Sequence, residues 1–158
     1  MRVVIDSRST LVIDFDGVIV DSEPIRRRET ERSHREGAPR QQTYARIQAL
    51  IMQTPPRPEA LSLIARFPTK DIVIATNNLS ANVREYLDAW LPSLSAASIF
   101  SRLDLGLAKE TEDFWRRLGA ILNRPSDTLR VYDDSADVCA IAAKVGMQVH
   151  RVETGVAG

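Results

Sequence analysis

Two aspartates, Asp14 and Asp16, stand one residue apart directly after a short apolar run, residues 11–13. An apolar run that ends in polar residues and glycine is typical of a buried strand in a parallel sheet, and such strands present functional groups at their carboxyl ends. Gly17 follows, so the chain can leave the strand there and direct the two carboxylates apart. We therefore expect two acids with different surroundings and different roles. The alternative, a surface turn with solvated acids, leaves the apolar run unexplained.

Further polar side chains follow other apolar runs, and a lysine stands ahead of a predicted helix: they are Thr76, Asn77, Asp133, Asp134 and Lys109. In an open parallel sheet the strand ends lie along one edge, where ligands bind. Several carboxylates gathered at one edge cannot all stay ionised without a counterion, so they favour a divalent cation. Oxygen ligands with room for water and phosphate favour Mg²⁺. The sequence therefore predicts a magnesium site at this edge.

Strands and helices alternate along most of the chain. Apolar runs predict strands at residues 11–13, 71–75, 98–100, 129–132 and 147–152. Helical spacing of apolar residues predicts helices at 59–67, 80–90, 111–122 and 135–146, with Ser80 and Ser135 as caps. This alternation implies parallel pairing through right-handed crossovers. The predicted fold class is α/β, with a three-layer Rossmann-like parallel sheet.

Two further helices, at residues 21–36 and 41–53, are predicted between the first strand and the stiff segment TPPRP. The second helix places Tyr44, Ile47, Leu50 and Ile51 at spacings that suit one face. We predict a core domain of residues 1–20 and 56–158, with residues 21–55 as a small helical insert. Residues 1–10 are either a short edge strand through Val3 to Ile5 or a loosely held tail.

The composition describes one soluble domain. The chain has 158 residues and 21 basic against 21 acidic side chains, so no global field attracts nucleic acid or an anionic membrane. Cys139 is the single cysteine, which excludes an internal disulfide, and we expect it to be a small core residue. The N-terminal segment interrupts its apolar residues with charges, and no long apolar run follows. We expect a cytoplasmic protein.

The segment LVIDFDGVIVDSE, residues 11–23, resembles motif I of the haloacid dehalogenase (HAD) superfamily of phosphatases and phosphotransferases. IATNN, DLGLAK and VYDDS are similar to motifs II, III and IV of the same superfamily. The resemblance extends from Leu11 to Met147 except for the insert, which takes the place of a helical cap. It implies an Mg²⁺-dependent phosphomonoester hydrolase that acts through an aspartyl-phosphate on Asp14.

The resemblance also implies a role for each site residue. Asp14 would be the nucleophile, and Asp16 the acid that protonates the leaving oxygen and then takes a proton from water. The metal ligands would be the Asp14 carboxylate, the Asp16 carbonyl and Asp134, with Asp133 acting through water. The phosphoryl group would contact Gly17, Thr76, Asn77 and Lys109.

Some residues depart from the superfamily's pattern or stand outside it. Glu110 follows the lysine where relatives commonly have proline, and Val138 stands where many have a further acid, so Asp137 is predicted to be an exposed helix residue. His34 and His150 are predicted to be structural. A group of arginines interleaved with glutamates is typical of a solvated helix, and a substrate role for one of them is the alternative. The group is Arg26, Arg27, Arg28, Arg32 and Arg35.

Other functions compete with hydrolysis. A phosphomutase or other phosphotransferase shares the same motifs, whereas the second aspartate, Asp16, argues against dehalogenation. From a different class, the chain could be a catalytically silent binding module on a phosphatase fold. The expected substrate is a phosphorylated small molecule. Because the insert is only about two helices long, we also expect an open site that can admit a larger phosphorylated group, unless an oligomer completes the lid.

Overall fold

In a computed structural model, which describes residues 9–154, five strands form one parallel sheet in the order β3-β2-β1-β4-β5. The strands are β1 Thr10–Ile13, β2 Ile72–Thr76, β3 Ser98–Ser101, β4 Leu129–Asp133 and β5 Gln148–Arg151. This is the α/β parallel sheet predicted from the sequence. The possible edge strand from Val3 to Ile5 lies outside the described residues.

Helices connect the strands and cover the sheet. They are α1 Glu23–Glu36, α2 Arg40–Met52, α3 Pro58–Ile64, α4 Ser80–Trp90, α5 Arg102–Leu105, α6 Glu112–Leu122 and α7 Ala136–Lys144. Short 3₁₀ turns occupy Thr69–Asp71, Pro92–Leu94 and Ser126–Thr128. The four-residue α5 was not predicted, because its one turn is too short to show a helical period.

The strand residues of β1 divide between two apolar layers. Leu11 and Ile13 face a layer that includes α4 and the α1–α2 pair, whereas Val12 faces a layer formed with α6 and α7. All three side chains are fully buried. Since successive side chains of a strand point to opposite faces, a strand buried on both sides is apolar throughout. The three-layer prediction is confirmed by this packing.

Helix α7 is capped as predicted, and α4 is not. The Ser135 hydroxyl accepts a hydrogen bond from Val138 N at the start of α7. Ser80 is instead the first residue of α4, and no side chain caps that helix. The reason is that Asn78 Oδ1 accepts a hydrogen bond from Leu79 N at 2.7 Å, which turns the chain into the helix before Ser80.

Helices α1 and α2 pack against each other through a narrow shared face. Thr43 Oγ1 donates to Ser33 Oγ at 2.6 Å inside this face, and Ile47 and Ile51 are buried. Gly37 ends α1 with a left-handed backbone, as its position in the sequence predicts. Tyr44 has the spacing of the same helical face, but neither the core nor α1 covers it, since its side chain is 57% exposed. It lies one position beyond Thr43, which takes the buried place beside α1.

The α1–α2 pair is attached to α4 by three hydrogen bonds. Tyr86 donates through its hydroxyl to the Thr54 carbonyl at 2.7 Å, and Trp90 Nε1 donates to the Met52 carbonyl at 2.8 Å. Gln48 Nε2 donates to the Asn82 carbonyl at 3.3 Å. These contacts hold the pair beside the carboxyl edge of the sheet, which is where the predicted site residues lie.

Candidate active site

Lys109 lies between two carboxylates at the carboxyl edge of the sheet. Asp14 follows β1 directly, and Asp133 is the last residue of the neighbouring β4. The ammonium of Lys109 donates to Asp14 Oδ1 at 2.8 Å and to Asp133 Oδ2 at 2.5 Å. It also donates to the Ala75 carbonyl at 3.2 Å, and all three charged side chains are buried. Adjacent strands thus bring two acids and a lysine into direct contact.

Asp134 completes a three-carboxylate cluster with Asp14 and Asp133. One ligand atom from each residue lies within 4.8 Å of the others, and no further group of this kind occurs among residues 9–154. Gly17 leaves room for the Asp134 side chain, because a Cβ at position 17 would collide with the Asp134 carboxylate. Its φ of +82° also favours glycine. The turn after β1 therefore makes the space that Asp134 occupies.

Burial and mutual repulsion disfavour the state in which all three carboxyl groups of this cluster are ionised. Burial raises the pKa of Asp14 well above its ordinary value; Lys109 lowers this pKa and Asp133 raises it further. Burial likewise raises the pKa of Asp134. For Lys109, burial lowers the pKa, but the two carboxylates more than offset this effect and keep the ammonium charged. A cation close to Asp14 and Asp134 would stabilise their ionised forms, so the donor set fits a divalent metal ion.

Asp16 has different surroundings from Asp14, as expected from the glycine that follows it. Its Oδ1 accepts hydrogen bonds from Ser22 Oγ at 2.7 Å and from Arg26 Nη2 and Nε at 2.9 and 3.2 Å. Its Oδ2 accepts one from Asn78 Nδ2 at 3.2 Å. Ser22 directly precedes α1 and Arg26 lies one turn into it, so the α1–α2 pair orients this second acid.

Asn77 bridges the end of β2 and the loop that carries the lysine. Its Oδ1 accepts a hydrogen bond from Lys109 N at 3.2 Å, while its Nδ2 donates to Glu110 Oε1 and Oε2 at 2.9 and 3.2 Å. Glu110, the residue that stands in place of a common proline, therefore fixes this turn through a side-chain contact. Thr76 is fully buried, and its hydroxyl accepts a hydrogen bond from Asn78 N at 2.9 Å.

Two adjoining cavities open at this edge, and we name them by position. The inner cavity, of about 220 Å³, brings together all predicted site residues except Thr76: it is lined in part by Asp14, Asp16, Gly17, Asn77, Lys109, Asp133 and Asp134. The outer cavity, of about 450 Å³, lies between the α1–α2 pair and the start of α4. Asp16 and Asn77 line both cavities, so the second acid stands at their boundary.

No protein-family model matches the chain, and no curated protein does. Solved structures do match. CbbY from Rhodobacter sphaeroides in complex with phosphate aligns with a TM-score of 0.70 at 14% identity, covering 95% of this chain and 89% of that one. The HAD-family enzyme BT-2542 from Bacteroides thetaiotaomicron, in complex with magnesium and inorganic phosphate, gives 0.66 at 13%, covering 93% and 95%. L-2-haloacid dehalogenase from Xanthobacter autotrophicus gives 0.69 at 14%, covering 91% and 77%.

The chain has the haloacid dehalogenase fold. On this HAD fold, the four segments that resemble the superfamily's motifs end at one sheet edge and line or underlie the inner cavity. In the part of the chain that the structure describes, no helix is long and apolar enough to cross a membrane.

The residues predicted to stay outside the site line neither of the two cavities. His34 and Asp137 are exposed on their helices, and His150 stacks on Tyr132 with ring centres 4.7 Å apart. Cys139 is buried, as expected for a core residue. None of these side chains lines either cavity.

Sequence reasoning missed the side chains that surround Asp16. Asn78 directly follows the predicted Asn77 and received no role, and Arg26 was one of five arginines with a single shared prediction. A signal for Arg26 was present: it lies four residues after Ser22, one helical turn, at the start of a helix that follows the Asp16 loop. Sequence alone does not distinguish Arg26 from the exposed residues beside it on α1, because several of them are also arginines.

Proposed function

We propose that the protein is an Mg²⁺-dependent phosphomonoester hydrolase in which Asp14 is the nucleophile. The observation that supports this most directly is the direct contact of buried Lys109 with Asp14, within 4.8 Å of two further carboxylates, in a cavity large enough for a phosphoryl group. Neighbouring structures on the same fold carry the corresponding ligands in their descriptions: magnesium and inorganic phosphate for BT-2542, and xylulose-1,5-bisphosphate for a CbbY variant.

The magnesium ion would be held by the carboxylates of Asp14 and Asp134 and by the Asp16 carbonyl, with Asp133 acting through water. Bound there, Mg²⁺ draws charge from the phosphoryl oxygens and offsets the repulsion between the carboxylates. Both oxygens of Asp133 already accept hydrogen bonds, Oδ2 from Lys109 and Oδ1 from Ser135 N at 2.9 Å. This supports a second role for Asp133, which is to fix the position of Lys109.

The first half of the reaction transfers the phosphoryl group to Asp14. A carboxylate oxygen of Asp14 attacks phosphorus, the bond from phosphorus to the leaving oxygen breaks, and a protonated Asp16 gives its proton to that oxygen. The position of Asp16 at the boundary of the two cavities supports this assignment, because the leaving group must point out of the inner cavity. Phe15 N and Lys109 both donate to Asp14 Oδ1, which restrains the nucleophile's orientation.

The second half releases inorganic phosphate. Water attacks phosphorus, its proton passes to the Asp16 carboxylate, and the bond between phosphorus and Asp14 breaks. Lys109 would offset the negative charge that develops on the phosphoryl oxygens, and the Asn77 backbone NH and the Thr76 hydroxyl would donate to them. Gly17 would let the group approach the backbone closely. The sum of both halves converts a phosphate ester and water into an alcohol and phosphate.

The direct test is phosphate release from a panel of phosphate esters with Mg²⁺, run beside an Asp14→Asn preparation. We expect release of inorganic phosphate by the wild-type protein and none above background by the variant. Formation of an isomeric ester without free phosphate would favour the mutase alternative, and absence of any turnover would favour the binding module. Including phosphorylated oligonucleotides tests the open-site prediction, and sedimentation tests whether an oligomer completes the lid.

A further inference from the structure

The loop that carries Lys109 is held through both backbone groups of that residue. Lys109 N–H donates to Asn77 Oδ1 at 3.2 Å, and the Lys109 carbonyl accepts a hydrogen bond from Trp115 Nε1 at 2.8 Å. Trp115 is fully buried on α6, whereas Asn77 is exposed directly after β2. The Lys109 carbonyl is therefore fixed by packing, and the contact of the Lys109 N–H depends on the orientation of one exposed amide.

The side-chain amide of Asn77 can take two orientations, which differ by exchange of its oxygen and its nitrogen. With Oδ1 toward Lys109, the oxygen accepts from the backbone N–H. With Nδ2 toward Lys109, two donors would face each other. Because an exposed amide can bond to water at both ends, one backbone N–H holds it only weakly. A neighbouring group that can only accept hydrogen bonds would favour the first orientation.

The Glu110 carboxylate is such a neighbouring group. Asn77 Nδ2 donates to Glu110 Oε1 at 2.9 Å and to Oε2 at 3.2 Å. An ionised carboxylate only accepts, so this contact turns Nδ2 toward Glu110 and leaves Oδ1 for the Lys109 N–H. Glu110 also lines the inner cavity, where its negative charge would repel a phosphate group. A favourable effect of Glu110 on the reaction would therefore have to pass through Asn77.

We infer that Glu110 is a positioning residue: its carboxylate sets the orientation of the Asn77 amide, and that amide fixes the Lys109 backbone. The inference rests on the proposed function, in which Lys109 offsets the charge on the phosphoryl oxygens. The Lys109 ammonium reaches Asp14 and Asp133 from this loop, so a shift of the loop backbone shifts the ammonium relative to the nucleophile. Small displacements of a positioned group slow a reaction strongly.

Three substitutions of Glu110 separate positioning from charge. Glu110→Gln keeps an acceptor oxygen for Asn77 Nδ2 but removes the charge, and Glu110→Ala removes the contact. Glu110→Lys presents only donors to the amide, which turns Oδ1 away from Lys109, yet it adds a positive charge at the inner cavity. Glu85→Ala is the matched control, because Glu85 is exposed on α4 and lines neither cavity.

The first measurement is kcat and KM for phenyl phosphate with the magnesium-loaded protein. Positioning predicts that kcat falls about tenfold in Glu110→Lys, falls less in Glu110→Ala, and keeps its wild-type value in Glu110→Gln and Glu85→Ala. A direct electrostatic action predicts the opposite order, with Glu110→Lys the most active variant. In an Asn77→Ala background, which lacks the amide, Glu110→Ala should lower kcat no further. Thermal unfolding of each variant checks that the fold is intact.

The second measurement does not need turnover. Amide hydrogen exchange followed by NMR reports how well the Lys109 N–H is protected. We expect exchange of this amide to be at least about tenfold faster in Glu110→Lys than in the wild-type protein, and unchanged in Glu85→Ala.

Unchanged exchange of the Lys109 amide in Glu110→Lys would overturn the inference. So would a kcat that rises as the side chain of residue Glu110 is made neutral and then positive. If the wild-type protein hydrolyses no phosphate ester while the exchange responds as expected, the proposed function fails, but the role of Glu110 in placing Lys109 is upheld.

Discussion

Asp14 and Asp16 are two residues apart, yet they belong to different regions of the molecule. Asp14 is buried at the end of β1 and contacts Lys109. Lys109 also contacts Ala75 on β2 and Asp133 at the end of β4. Asp16 is partly exposed and contacts Ser22 and Arg26 at the start of α1. The sheet therefore fixes the first acid, and the α1–α2 pair fixes the second.

Under the proposed function, this difference would separate the groups that carry out the reaction from the groups that select the substrate. Changes around Asp14 alter groups that every phosphate ester would meet, because they lie in the inner cavity. Changes around Asp16 alter groups at the boundary with the outer cavity, where esters differ from one another. We expect substitutions in the first region to affect all substrates alike, and those in the second to affect substrates unequally. The predictions below test that division.

The largest effect is expected from Asp14→Asn. A neutral amide cannot act as the nucleophile, so phosphate release should fall by at least about 10³-fold for every ester tested. Circular dichroism should show an unchanged fold. The matched control is Asp137→Asn, the same chemical change at an exposed position on α7, which should keep wild-type activity. Phosphate release at the wild-type rate by a clean Asp14→Asn preparation would refute the mechanism.

Removal of magnesium should also abolish turnover, because Asp14, Asp133 and Asp134 then lack their counterion. Activity measured after exhaustive chelation with EDTA should be at background and should return with added Mg²⁺. Calcium should bind with little turnover, by resemblance to the superfamily. Full activity in the chelated protein would contradict the metal assignment.

The stabilisation by Mg²⁺ should grow as pH rises. Burial raises the pKa values of Asp14 and Asp134, so the metal-free folded protein binds protons that the unfolded chain has already lost. Its stability therefore falls as pH rises above the ordinary aspartate pKa. Mg²⁺ replaces those protons, and the increase in Tm caused by Mg²⁺ should be larger near pH 7.5 than near pH 5. An equal increase in Tm at both pH values would contradict the binding of Mg²⁺ by these carboxylates.

Asp16→Ala should have a selective effect. Loss of the general acid should slow hydrolysis of alkyl phosphates by about 10²–10⁴-fold, and hydrolysis of an activated aryl phosphate much less, since that group leaves with little protonation. Rates with both ester types, measured at saturating Mg²⁺, check this. Asp21→Ala, at an exposed position five residues later, is the control. Equal losses on both ester types would remove Asp16 from the acid role and would end the distinction between the regions.

The sequence predicted the first region better than the second, and the reason is physical. A strand buried on both faces must be apolar, so β1 and β2 are visible in the sequence, and β4 is visible through its apolar residues Leu129 and Val131. A parallel sheet places the ends of these strands on one edge. That argument locates Asp14, Asp133 and Asp134 together without knowledge of their contacts. Lys109 required the resemblance as well, because a lone lysine before a helix carries no such constraint.

The second region depends on contacts that composition does not encode. Arg26 has the same type and the same neighbours as the solvated arginines of α1, and only the angle at which α1 leaves the Asp16 loop brings it to that carboxylate. Glu110 contacts Asn77 because two loops that are 33 residues apart in sequence approach each other. Ser80 was misjudged for a related reason, since the side chain of Asn78 had already formed the turn. Contacts between separate segments decided the positions of Arg26 and Glu110, and a local side-chain contact decided that of Ser80.

The smallest effect is expected where the α1–α2 pair is attached to the core. Tyr86→Phe removes the hydrogen bond from its hydroxyl to the Thr54 carbonyl, which should lower the free energy of unfolding by about 1 kcal/mol. It should raise KM slightly, because the outer cavity lies between the pair and α4, and it should leave the Mg²⁺ affinity unchanged. Tyr132→Phe is the control, since the Tyr132 hydroxyl makes no hydrogen bond within residues 9–154 and its ring stacks on His150. Chemical denaturation, steady-state kinetics and Mg²⁺ titration measure these three quantities. If Tyr86→Phe weakened Mg²⁺ binding as well, the two regions would be coupled through the insert, and the sheet alone would not account for the geometry around Asp14.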